Sequence, residues 1–153
     1  MKPPAFTYHD PTSLEEALEL LRRYGGDAKV LAGGQSLMPL LNFRLSSPPV
    51  LIDLNRIAAL AYIRQEDGQL RIGAMTRQRT IEFSALVRGR LPLLYEATTL
   101  IGHLPIRTRG TIGGSLSHAD PAAEYPAVAV ALEAELVLQT PAAPVFSALR
   151  SSS

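Results

Sequence analysis

The stretch IRTRGTIGGSLSHADPAAEYP, residues 106–126, crowds two arginines, a glycine pair, several hydroxyl side chains, a histidine and two carboxylates into about twenty positions. An earlier stretch, VLAGGQSLMPLL at residues 30–41, repeats part of that arrangement: an apolar run, a glycine pair, then a hydroxyl residue two positions on. Glycine permits positive φ and close backbone approach, and successive exposed N–H groups form a concave anion site that needs no lysine. Ser36, Thr111 and Ser115 add hydroxyl donors, each worth about 1.5–3 kcal/mol when the bond is charge-assisted. A lone glycine pair is most often only a turn. Two such pairs, each beside an apolar run and flanked by hydroxyl residues, weigh equally as plain turns and as sites for a phosphate.

Familiar phosphate readers are absent. The sequence contains neither the dinucleotide fingerprint G-x-G-x-x-G nor the P-loop G-x-x-x-x-G-K-[ST]. No G-x-S-x-G supports a nucleophile elbow, although Ser115, His118 and Asp120 stand close together. The 15 basic and 14 acidic residues are spread along the chain with no basic stripe or aromatic platform, which argues against a nucleic-acid partner. With no cysteine, the chain can hold neither an Fe–S cluster nor a thiolate zinc site, and it needs no oxidising compartment. The opening MKPPAFTYHDPTS has no apolar signal core, and no apolar run is long enough for a transmembrane segment. A cytoplasmic protein is the expectation.

At 153 residues, 46% of them hydrophobic, the chain suits one domain or two small lobes. TSLEEALELLRRYGG sets Ser13 three positions before Glu16, a capping box, and repeats apolar residues at Leu14, Ala17, Leu18 and Leu21, so a helix closed by Gly25 and Gly26 is predicted. AKVLA and VLIDL read as short buried strands, with a helical turn and loop between them. LAYIRQE and QLRIGAM, joined by Asp67-Gly68, read as a hairpin. Helical pattern follows, weakly through TIEFSALV and firmly through LPLLYEATTLIG; EYPAVAVALEA reads as a helix and ELVLQT as a strand. Asp120 and Pro121 read as the N-cap and first residue of the EYPAVAVALEA helix. The expected class is α+β: a small β/α lobe at 1–56 carrying the first glycine loop, a larger mixed lobe at 57–140 carrying the second, and an atypical tail at 141–153.

AGGQSLMPLL followed about seventy-five residues later by IRTRGTIGGSLSHADPAAEYP resembles the FAD-binding medium (flavoprotein) subunit of the molybdenum hydroxylases, the family of carbon monoxide dehydrogenase and xanthine dehydrogenase. FTYHDPTSLEEALELL and IGAMTRQRTIE fit the same pattern, and the similarity runs over residues 4–138. The resemblance implies a two-lobed fold of the vanillyl-alcohol oxidase (PCMH) type, with the FAD diphosphate between the glycine loops. It implies a first wall of Ala32, Gly33, Gly34, Gln35, Ser36 and Leu37, and a second of Thr111, Gly113, Gly114 and Ser115. By the same likeness Ile101 falls where the adenine packs, Glu124 meets the ribityl hydroxyls, and His118 orders its loop or touches the sugar chain. Metal ligands and catalytic residues are not implied. The implied partners are a large molybdopterin-binding subunit and a small 2Fe–2S subunit, with electrons passing from the clusters through FAD to an acceptor.

Three positions depart from the family pattern: Ser115 stands for the usual Asn, Glu124 for Asp, and Thr108 for the Asn of RNRG. Arg107 and Arg109, beside the second loop, suit bonds to carbonyls or to a neighbouring chain better than to phosphate. Family chains run on past ELVLQT into further strands and another domain, so PAAPVFSALRSSS reads as the end of a truncated or frame-shifted chain with part of the flavin-ring site missing. The rival expectation is a folded, flavin-free remnant acting only as an interaction module.

Overall fold

The computed structural model describes residues 2–140 and 144–148. Three short strands form a parallel sheet in the order β1-β3-β2: β1 is Thr7–His9, β2 Ala28–Leu31 and β3 Val50–Asp53. Helix α1, Leu14–Tyr24, joins β1 to β2, and the short α2, Leu37–Asn42, joins β2 to β3. The capping box of α1 forms as the spacing predicts. Ser13 Oγ accepts from the N–H of Glu16 at 3.2 Å, and the Glu16 carboxylate accepts from the N–H of Thr12 at 3.0 Å. Gly25, at φ 51°, ends the helix.

Central position decides which strand is buried. Val50, Leu51 and Ile52 of β3 are buried, with Val50 and Ile52 packed beside Ala17 of α1, Ala28 and Ile57. Leu51 points to the opposite face, as strand alternation requires. The AKVLA strand is not buried as expected: β2 lies at the sheet edge, and Val30 is 40% exposed. Strand β1 was not anticipated from FTYHDP, because three residues between prolines are too short for a periodic signal.

The predicted hairpin is present as β4, Ile63–Glu66, and β5, Gln69–Ile72, turning through Asp67 at φ 50° and Gly68 at φ 80°. Two left-handed residues in a row make a type I′ turn, which matches the strand twist. Five helices follow: α3 Gln78–Glu82, α4 Ala85–Arg90, α5 Pro92–Leu100, α6 Leu104–Arg109 and α7 Ile112–His118. Helix α8, Glu124–Ala131, then leads to β6, Glu135–Gln139. Leu94, Ala97 and Ile101 around α5, Tyr125 and Val128 of α8, Ile81 and Val87 make a second hydrophobic cluster. Within it Thr98 Oγ1 donates to the Leu94 carbonyl at 2.7 Å, so the Tyr125 hydroxyl, 2.9 Å away, is the donor to Thr98.

One expectation needs correction here. Asp120 and Pro121 do not begin α8, whose N-cap is Ala123. Asp120 instead accepts from the N–H of Ala122 at 2.8 Å through its side chain and from Ala123 at 2.9 Å through its carbonyl. That is a tight turn with proline at its second position. Residues 144–148, within the stretch read as an atypical tail, form strand β7, Pro144–Ala148, antiparallel to β6. The other tail residues, including the RSSS end, lie outside the described residues. Among the described residues no helix is long and apolar enough to cross a membrane.

Candidate functional site

The two glycine stretches meet, by unlike means. The first leaves the C-terminal end of β2 and turns through Gly34, at φ 72°, into α2. The N–H groups of residues 33–37 meet no acceptor among the described residues. The Gly34 carbonyl accepts from Met38 at 3.0 Å, and Gln35 Nε2 folds back to donate to the Gly33 carbonyl at 3.1 Å. The segment is thus a braced turn with a row of five spare donors, and the Ser36 hydroxyl stands exposed beside them.

The second stretch is not a loop. Gly113, Gly114 and Ser115 form the first turn of α7, capped by Thr111, whose Oγ1 accepts from the N–H of Gly114 at 3.1 Å. Residues 110–113 lie antiparallel to 74–78. Ile112 donates to the Thr76 carbonyl at 3.1 Å, Gly113 to Ala74 at 2.8 Å, and Gln78 to Gly110 at 2.9 Å. These amides are already spent inside the protein. The glycines serve close approach instead of positive φ: a Cβ on Gly113 would lie 2.7 Å from the Ala74 carbonyl oxygen.

Close approach also joins the stretches to each other. A Cβ built on Gly33 would lie 2.5 Å from the carbonyl oxygen of Arg109 and 2.8 Å from Cα of Gly110, and one on Gly114 would lie 3.5 Å from Cβ of Ala32. Residues 32–33 therefore rest on the corner between α6 and α7. His118, one turn beyond Gly114, shares its helix face and is exposed. Half-buried Glu124 opens α8 across the tight turn at 120–123. Ile101 stands apart: it is 8% exposed and belongs to the α5–α8 core cluster.

Arg107 and several side chains that the sequence did not single out hold this corner. Arg107 donates to the carbonyls of Ile101 and Gly102 at 2.8 and 3.0 Å and pairs with Glu82 at 3.1 Å, so it is a backbone brace, as its setting suggested. Burial pushes the Glu82 carboxyl up, but its bonds to Arg79 and Arg107 outweigh burial and hold it below the usual range. At the C-terminal edge of the sheet, Tyr8 donates to Asp53 at 2.6 Å, a bond that pushes the phenol up to about 12. Asn55 donates to the Ala32 carbonyl at 2.9 Å, and Arg77 reaches both Asn55 and the Arg109 carbonyl. A polar residue just beyond the last strand residue is the one signal that could have drawn attention to Asn55.

Comparison with known proteins gives the family. Residues 4–148 match the family described as the FAD binding domain in molybdopterin dehydrogenase. The chain is 53% identical over 140 residues to the 6-hydroxypseudooxynicotine dehydrogenase complex subunit alpha of Paenarthrobacter nicotinovorans, covering 92% of this chain and 47% of that protein. It is 48% identical over 141 residues to the carbon monoxide dehydrogenase medium chain of Hydrogenophaga pseudoflava, covering 92% and 49%. Among solved structures, carbon monoxide dehydrogenase from Hydrogenophaga pseudoflava superposes with a TM-score of 0.95 at 46% identity, covering 97% of this chain and 52% of that one. The chain thus spans about half the length of the relatives it matches. It belongs to the family of FAD-binding domains of the molybdopterin dehydrogenases.

Proposed function

We propose that this chain is the FAD-holding part of an electron-transferring flavoprotein subunit in a molybdenum hydroxylase, partnered by a large molybdopterin-binding subunit and by a small 2Fe–2S subunit whose clusters pass electrons through FAD to an acceptor. The observation that carries this reading is the row of five unpaired amides at residues 33–37, seated on the α6–α7 corner. Five successive free N–H donors suit a diphosphate, whose oxygens are acceptors only. Ser36, Ser115 and the Glu124 carboxylate suit the hydroxyl-bearing chain beyond it, because hydroxyls both donate and accept. The second stretch then acts as a wall of close-packed backbone and one hydroxyl, and donates little through its amides. In this proposal residues 1–56 and 57–140 are the two lobes of a vanillyl-alcohol-oxidase-type fold, and the cofactor lies at their seam.

When bound, FAD supplies the redox chemistry, and the chain supplies position and electrostatics. Arg107 leaves the phosphate to the amides, because its side chain bonds two carbonyls and a carboxylate. Titration of the purified chain with FAD, followed by flavin fluorescence and by visible absorbance after dialysis, tests the reading. Saturable binding that ADP competes away is expected. Absence of saturable binding to a folded chain overturns it and leaves the interaction-module alternative.

A further inference from the structure

Arg77 lies on the 74–78 segment that runs beside residues 110–113, and its guanidinium reaches two parts of the molecule. Nη1 donates to the Arg109 carbonyl and Nη2 to Oδ1 of Asn55. Nδ2 of Asn55 in turn donates to the Ala32 carbonyl at 2.9 Å and to the Asp53 carboxylate, which also accepts the Asn55 N–H at 2.8 Å. A guanidinium can only donate, and a carbonyl and a carboxylate can only accept, so the orientation of the Asn55 amide is fixed by its partners. Both ends of this chain of bonds land on the cradle. Ala32 opens the row of spare amides, and the Arg109 carbonyl is the atom on which Gly33 rests.

We propose that Arg77 and Asn55 are positioning residues: a clamp that sets the first glycine turn against the α6–α7 corner before any ligand arrives. Lysine cannot replace Arg77, because a single ammonium on a flexible stem cannot hold two divergent acceptors as a planar fork does. Order in the amide row lowers the cost of ligand capture, the general advantage of preorganisation. The inference rests on the flavin reading for its ligand, but the mechanics can be measured without one.

The experiment uses Arg77→Lys, Asn55→Ala and the double variant of the full chain. It records backbone NMR order parameters for residues 33–37 in the free protein and FAD affinity by fluorescence titration; thermal melting checks the fold. Residues 33–37 of the wild type should be rigid, near about 0.85, and should loosen in every variant. Each single variant should lose about tenfold in FAD affinity, the equivalent of one charge-assisted bond, and the double variant little more than either single one. Unchanged order parameters alongside weaker FAD binding would mean that Arg77 touches the ligand directly, and would overturn the clamp. So would wild-type behaviour of Arg77→Lys in both measurements, or additive losses in the double variant. If the wild type itself does not bind FAD, the order parameters still decide the clamp and only the flavin reading falls.

Discussion

The glycines in the two stretches answer to different constraints, and substitution should separate them. Gly33 and Gly113 face backbone: a methyl on either meets a carbonyl oxygen at 2.5 or 2.7 Å, and no side chain can step aside. Gly114 faces the Thr111 hydroxyl at 2.8 Å, the movable end of a side chain, so a methyl there displaces a cap and not a strand. Alanine at Gly33 or Gly113 should therefore cost about 1–3 kcal/mol of stability, as overpacking does. At Gly114 the cost should be about 1 kcal/mol, the worth of a helix cap. Denaturant midpoints of the three variants check the order, and a Gly114 variant less stable than Gly113→Ala contradicts it. A second residue-scale expectation concerns acid. Glu82 and Arg107 are 14% and 13% exposed, and the carboxyl sits below its unfolded value of about 4.3. A depressed folded pKa contributes stability that is fully present above the unfolded value and is lost as pH falls through the folded one. The stability advantage of wild type over Glu82→Gln should thus be constant near neutrality and shrink as pH drops below the ordinary glutamate range. A gap in melting temperature that does not change with pH would remove the pair from the account.

At the scale of elements, α7 closes on an unusual residue. Ala119 is its C-cap at φ 51° and ψ 39°, in the left-handed region, with its N–H donating to Ser115. Glycine is the ordinary occupant there, since a Cβ costs roughly 1–2 kcal/mol in that conformation, against a glycine entropy penalty of about 0.4–1 kcal/mol. Ala119→Gly should stabilise the chain by about 0.5–1 kcal/mol, read from chemical denaturation; a destabilised variant would mean that the methyl packs usefully. The same helix shows why some elements were legible in the sequence and others were not. The first helix announced itself through the Ser13–Glu16 box and apolar spacing, and the hairpin through Asp67-Gly68, because these signals are local. Helices α6 and α7 carry Pro105, Gly113 and Gly114, which read as a loop by composition. The helicity of α7 comes from a cap at Thr111 and from bonds to residues 74 and 76, more than thirty-five positions away, which no local pattern displays. The candidate site divides in the same way: the glycines were visible as a motif, whereas Asn55 and Arg77 acquire a role only through contacts across the fold.

Among the described residues there are two hydrophobic clusters, one around β3 and α1 and one around α5 and α8, and the glycine stretches meet through close backbone contacts. A ligand gripped by residues 33–37 on one side and by Ser115 or Glu124 on the other binds the folded chain and not the unfolded one. It therefore raises stability by mass action, about 2.7 kcal/mol at one hundred times its dissociation constant. For a chain of this size 1 kcal/mol moves the melting temperature by roughly 2–4 °C, so saturating FAD should raise it by about 5–10 °C. Because the proposed grip is on the diphosphate, the parts of FAD should not be equivalent. ADP, which carries that group, should raise the melting temperature measurably, while riboflavin, which carries the ring and ribityl chain without phosphate, should not at the same concentration. The converse result, a shift with riboflavin and none with ADP, would put the main anchor on the ring and strip residues 33–37 of the role assigned to them.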